Sequence, residues 1–375
     1  MLGIVTCFYN PCDYRRNREN YFRFRNAIGH PVTTVELSFN GQFIIPDAIP
    51  IEGNSQNVMW QKERLLNIGI ESLPPKCDKV AWVDADLIFM NRHWVEQTEE
   101  LLEKYQAVHL CERVHQTNLQ GHITSSLETF GKGYVEKRLH EHWFHTGGAW
   151  AARREVLQPE GLFDQDIIGG ADAFMAFAWS GDIERAVLHA KKTFSVQTQE
   201  YYRQQAELIH QQVQGQIGYV PGDTLHLWHG DKENRMYVTR LEFLKKYDFN
   251  PQSDIAVSES GLWKWNSSKP GMHRDVAEYF RLRQEDGPAT TTQPAPKQGP
   301  QTEQAVEPIQ RNENQILHKE QNNPIQKPTR LFNKKEKTMG CSACEEGLRQ
   351  RKEQEKTEQR TRNVTKWSVG VTTAP

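Results

Sequence analysis

Over the first hundred or so residues, apolar runs alternate with mixed helical stretches, a rhythm that predicts a β/α succession. Residues 2–8 are a nearly continuous apolar run, as expected for a parallel strand covered on both faces. A polar loop follows at 9–13. Residues 14–27 then mix arginines with Tyr21, Phe22 and Phe24, which suits a helix lying on a sheet. Residues 32–39 read as a second strand. From 57 to 72, Met59, Leu65, Leu66 and Ile70 recur near helical spacing until Pro74 and Pro75 stop the helix. The stretch 79–89 (Lys-Val-Ala-Trp-Val-Asp-Ala-Asp-Leu-Ile-Phe) reads as a buried strand delivering Asp84 and Asp86 at its C-terminal mouth. A polar helix (93–105) and another strand (107–111) come next.

The pattern weakens over 115–140, which is polar, spotted with glycine, and reads as a loop with helical portions; long irregular loops in compact domains tend to be functional. Residues 145–152 predict a strand in which Gly147 and Gly148 let another group approach the backbone closely. Residues 161–172 lead into an apolar helix at 173–180 with Asp172 at or near its N-cap. The cluster Leu225-His226-Leu227-Trp228-His229-Gly230 is followed by a helix at 240–246, and the tryptophans at 263 and 265 close the folded part near Arg283. From 288 to 375 the chain turns to Pro, Gln, Thr, Glu and Lys, too poor in large apolar residues to offset the entropy of ordering, so this tail is expected to be mostly disordered.

Composition refines that picture. A chain of 375 residues holds one large domain or two smaller ones. Its start runs straight into a strand with no signal-peptide pattern, and no segment approaches the roughly 20 apolar residues of a membrane span, so a cytoplasmic protein is expected. Four of the six cysteines are scattered (Cys7, Cys12, Cys77, Cys111), unlike a disulfide framework, and reduced thiols are the default. Cys341 and Cys344 form a single Cys-x-x-Cys, short of the four ligands of a structural zinc site. The formal charge of −2 hides a division: residues after 288 hold 15 Lys and Arg against 10 Glu. The body is therefore mildly acidic and not an obvious nucleic-acid binder, while the basic tail gives weak electrostatic support for a polyanion such as DNA or an anionic membrane surface. There is no Gly-x-Gly-x-x-Gly, which disfavours the usual dinucleotide fold.

The candidate chemistry begins with Asp84-x-Asp86. Alternation along a strand sends both side chains to one side, where they can share a divalent cation; the ordinary alternative is a solvated Asp-x-Asp turn. A cation there needs a further partner. Alternation in Leu-His-Leu-Trp-His sets His226 opposite the two leucines and His229 at the strand's end, making either a candidate ligand. Lys232, Arg235 and Lys62 or Arg64 add positive charge, although such residues are more often simply solvated. Histidines 142 and 145 are candidates to line a pocket, and Trp60, Trp82 and Trp228 to form core or pocket walls.

A β/α opening, a strand ending in Asp84-x-Asp86, a Gly-Gly-plus-acid segment and a late His-x-x-His together resemble a GT-A fold, metal-dependent glycosyltransferase over about residues 1–285. The resemblance implies a single Rossmann-like α/β domain over 1–287, with a mixed, mainly parallel sheet flanked by helices. It also implies transfer of a sugar from a nucleotide-sugar donor, UDP-linked, to an acceptor hydroxyl. Asp84, Asp86 and His226 or His229 are then the expected holders of Mn²⁺ or Mg²⁺, an imidazole tilting the choice toward manganese. Thr6, Phe8, Arg64, Asp84, Gly147, Gly148 and Lys232 are expected around the donor. Asp172, in Gly169-Gly170-Ala171-Asp172, resembles the base of inverting members. The acceptor is left open among a glycan, a protein, a small molecule and a modified base of viral DNA. Two other readings use the same features: a nucleotide-sugar or glycan binding protein without turnover, and a metal-dependent nucleotidyltransferase.

Overall fold

The computed structural model describes residues 1–287 apart from Pro159 and Val238, so the expected disordered tail, with Cys341 and Cys344, lies outside the described residues. In chain order the strands are β1 (Leu2–Tyr9), β2 (Thr33–Ser38), β3 (Ile49–Glu52), β4 (Lys79–Val83), β5 (Leu87–Phe89), β6 (Ala107–His109), β7 (Arg113–Thr117), β8 (Ile123–Glu128), β9 (Ala149–Arg153), β10 (Ile217–Tyr219), β11 (Asp223–His226), β12 (Ile255–Val257) and β13 (Trp263–Trp265).

Seven of them make one sheet in the order β10-β6-β9-β4-β1-β2-β3. β4, β1, β2 and β3 run parallel, β10 is parallel to β6, and β9 alone is reversed between β4 and β6. This is the mixed, mainly parallel α/β sheet expected from the sequence. Its central strands are apolar throughout because helices cover both faces. On one face the helix Lys62–Ser72 buries Leu65, Leu66 and Ile70, each contributing about 1.5–3 kcal/mol. The helix Ala171–Ser180 and the 18-residue helix Val196–Val213 add a wall in which Trp179 meets Trp82 and Trp150 edge-on, at 6.0 and 5.1 Å between centroids.

A second sheet, β5-β11-β7-β8, takes up the chain after the three residues that follow β4. Its presence corrects two expectations. Residues 79–89 are two strands in two sheets rather than one, because the chain turns at Asp84 and re-pairs β5 antiparallel with β11. The stretch 115–140, expected as a loop with helical portions, contains the end of β7 and all of β8, paired antiparallel, as well as the helix Phe130–Val135 and irregular connections. β8 is exposed along most of its length and so shows no apolar alternation to read. Cys7, Cys12, Cys77 and Cys111 are free thiols. No helix among the described residues is long and apolar enough to cross a membrane.

Candidate functional site

The turn between β4 and β5 creates the site. The amide of Asp84 donates to the Gly148 carbonyl at 2.8 Å, and the Asp86 carbonyl accepts from the Leu227 amide, also at 2.8 Å. The two aspartates are therefore pinned to different partners. Instead of pointing side by side as strand alternation requires, they enter two adjoining polar clusters.

The first cluster is Asp86, His226 and His229, whose ligand atoms all lie within 4.8 Å of one another. Asp86 Oδ2 stands 2.9 Å from His229 Nε2 and 3.7 Å from His226 Nε2. Both His229 Nε2 and Asp86 Oδ1 are buried without a hydrogen-bond partner. Burial lowers the His226 pKa to about 3 despite the pull of Asp86, so its imidazole is neutral at physiological pH. Burial opposes ionisation of Asp86, but His226, His229 and Arg235 outweigh it and hold the carboxyl below the usual range. A carboxylate and two imidazoles with unspent polar atoms facing one point fit a divalent cation such as Mn²⁺. The sequence left His226 and His229 as alternatives; the fold brings both to Asp86.

The second cluster centres on Lys62, which is 9% exposed. Its ammonium donates to Asp172 Oδ2 at 2.8 Å and Asp84 Oδ1 at 3.2 Å, and lies 3.4 Å from Glu63. Burial and the surrounding acids raise Asp84 to about 6 and Glu63 to about 8, with Lys62 acting in opposition. Burial disfavours the Lys62 charge, yet Asp172, Asp84 and Glu63 raise its pKa well above the ordinary value. Asp172 is not the helix N-cap: Gly170 occupies that position and Asp172 lies in the first turn, where its carboxylate serves Lys62. Gly147 fits beside it because a Cβ there would come within 2.9 Å of Asp172 Oδ2. Gly148 has φ +93°, which an L side chain rarely adopts. His109 and His145 both approach the Gly147 carbonyl, each at 3.1 Å; the His109 contact ties this segment to β6, and the His145 contact is local.

The other residues expected around the donor make contacts of their own. Thr6 is fully buried and its hydroxyl donates to the Val83 carbonyl at 2.7 Å, bracing β1 against β4. Phe8 is core, edge-on to Tyr21 at 5.3 Å. Arg64 turns to the Gly261 carbonyl and to Asp164 at 3.5 Å, leaving Lys62 as the cation beside Asp84. Lys232 is exposed, with Nζ 3.3 Å from Ser125 Oγ. Trp82 is buried; Trp60 is half-buried, stacked on Phe280 at 6.3 Å with the Arg283 guanidinium 5.1 Å from its ring centroid.

Nothing in the sequence pattern points to Glu63 or Glu285. Glu285 is 5% exposed and stands with Oε1 3.1 Å from His229 Nδ1. Burial opposes its ionisation, but Arg283, His229 and Asn17 hold the carboxyl below the usual range. Neither glutamate belongs to a spaced motif, so only the fold reveals them.

No family model and no curated protein matches the sequence. Among solved structures the chain is similar to S. aureus TarS 1–349 in complex with UDP-GlcNAc, at 8% identity over 75% of this chain and 72% of that one, with a TM-score of 0.35. It is also similar to glucosyl-3-phosphoglycerate synthase from Mycobacterium tuberculosis in complex with Mn²⁺, UDP and phosphoglyceric acid (12% identity, 68% of this chain, 81% of that one, TM-score 0.32). A third is the mannosyltransferase PcManGT from Pyrobaculum calidifontis in complex with GDP-Man and Mn²⁺ (12% identity, 74% and 69%, TM-score 0.34). At these identities and scores each is a distant likeness in fold.

Proposed function

We propose that this protein transfers a glycosyl group from a nucleotide-sugar donor to an acceptor hydroxyl in a reaction dependent on a divalent cation. The observation that carries the reading is the convergence of Asp86, His226 and His229, with unpartnered polar atoms, next to a carboxylate pair held by Lys62 at the end of β4. Open α/β sheets bind ligands at that edge. A cation held by Asp86, His226 and His229 supplies Lewis-acid stabilisation for the negative charge on a departing nucleoside diphosphate.

The chain's own residues do the rest. Asp86 and the two imidazoles would hold the cation that meets the diphosphate end of the donor. Lys62 keeps Asp84 and Asp172 in place and limits their mutual repulsion. Asp172 takes the proton from the acceptor hydroxyl as the new bond to the anomeric carbon forms, while the electrons of the broken glycosyl–phosphate bond leave with the diphosphate. Attack from the face opposite the diphosphate inverts the anomeric centre.

The test is product identity, with Mn²⁺ and a panel of donors and acceptors supplied to the full chain. Nucleoside diphosphate release is expected, falling about 10²–10⁴-fold in Asp172→Asn while donor binding persists. Undiminished turnover in Asp172→Asn would remove the base assignment. Pyrophosphate release from a nucleoside triphosphate would mark a nucleotidyltransferase, and donor binding without turnover on any acceptor would mark a binding protein.

A further inference from the structure

The segment after the helix Pro270–Leu282 returns to the cluster of Asp86, His226 and His229 as a strap anchored at several points. Arg283 and Glu285 are both buried, and Glu285 Oε1 accepts from Arg283 Nε at 2.7 Å. Glu285 Oε2 accepts from Asn17 Nδ2 at 2.6 Å. Asp286 accepts from the backbone amides of Arg15 and Arg16, at 3.1 and 2.7 Å, at the start of the helix Arg15–Ala27. Gly230, at φ +85°, admits the strap: a Cβ there would meet the Arg283 and Gln284 carbonyl oxygens at 2.9 and 3.0 Å.

One consequence falls on His229. A carboxylate only accepts hydrogen bonds, so the Glu285 contact makes His229 donate from Nδ1. Its Nε2 then carries a lone pair, and that atom is the one left buried and unpartnered 2.9 Å from Asp86 Oδ2. Carboxylates behind metal-binding histidines characteristically fix both tautomer and ring orientation in this way.

We propose that Glu285, 56 residues beyond His229 in the chain, is a positioning residue for the cation: its hydrogen bond to Nδ1 turns the Nε2 lone pair of His229 toward the ion. This rests on Asp86, His226 and His229 holding a divalent cation. Arg283 and Asn17 in turn hold Glu285, so the strap belongs to the site although it contributes no ligand.

The test is Mn²⁺ binding to the full chain without nucleotide, followed by loss of the free-ion electron paramagnetic resonance signal. Glu285→Asp keeps a charge opposite Arg283 but withdraws it from His229, and is expected to weaken Mn²⁺ binding about 10–100-fold. The same change is expected to have no further effect in a His229→Ala background and to weaken binding further in a His226→Ala background. Wild-type affinity in Glu285→Asp would overturn the proposal. So would an equal loss in the His229→Ala background, which marks general loosening of the fold. Should Glu285→Asp not fold, the pair replacement Arg283→Met with Glu285→Leu removes both buried charges together and is read by the same criteria. Failure of the wild-type chain to bind Mn²⁺ would instead remove the cation-dependent reading, and this inference with it.

Discussion

Lys62 faces Asp172, Asp84 and Glu63 at 2.8, 3.2 and 3.4 Å, and one ammonium cannot balance three largely buried acids. The strain shows at Glu63, whose Oε1 is buried without a hydrogen-bond partner and whose pKa rises from 4.5 to about 8, chiefly through burial. A carboxyl whose pKa is raised on folding binds its proton more tightly in the native chain. Its contribution to stability is therefore complete at low pH and is lost as pH climbs from the unfolded value through the folded one. The metal-free protein is expected to lose thermal stability between about pH 5 and 8, and Glu63→Gln to flatten that loss and raise the melting temperature at pH 8. Melting curves across this range check it; a Glu63→Gln profile superposing on wild type would contradict it. Asp86 and Glu285 are shifted the opposite way, so their contribution is lost only in acid. At this scale the sequence was partly legible. Paired aspartates and a His-x-x-His stand out by spacing, but Lys62 and Arg64 lie two apart on one helix, where only packing decides which faces Asp84. Glu285 was hidden because its partner lies 56 residues away.

Among the elements, the β4–β5 turn decides where the aspartates go. Apolar residues flank Asp84 and Asp86 on both sides, so the sequence reads as one strand; a chain passing from one sheet to the next breaks no periodicity. The turn is set by partners distant in sequence, Gly148 for Asp84 and Leu227 for Asp86. β1 and β4 were legible because buried parallel strands are apolar throughout, and the helix Lys62–Ser72 because its stripe ends at a proline pair. The strap yields an element-level prediction. Gly230→Ala combines an unfavourable φ of +85° with contacts to two carbonyl oxygens, and is expected to cost at least about 1–2 kcal/mol in urea denaturation. Because the displaced atoms belong to residues 283–285, Mn²⁺ binding is expected to weaken together with stability. Loss of stability with unchanged affinity would mean that the strap and His229 are not coupled.

For the molecule as a whole, the seam between two sheets gathers residues from five separate stretches of chain: Lys62 and Glu63, Asp84 and Asp86, Gly147 and Gly148, Asp172, and His226 and His229. The large sheet supplies the rigid edge, and the small one carries His226 at the end of β11. Under the proposed function a cation at this seam would link the chain to an anionic ligand, so cation and donor are expected to stabilise the fold jointly. The most direct measurement is the melting temperature of the full chain against a panel of nucleotide sugars, with Mn²⁺ or with a chelator. At a hundred times its dissociation constant, a donor that binds only the folded state adds about 2.7 kcal/mol. The expected result is an upward shift for at least one nucleotide sugar that requires Mn²⁺ and disappears in Asp86→Asn. No shift with any donor in the presence of Mn²⁺, or a shift that survives both the chelator and Asp86→Asn, would contradict a cation-dependent donor site at Asp86.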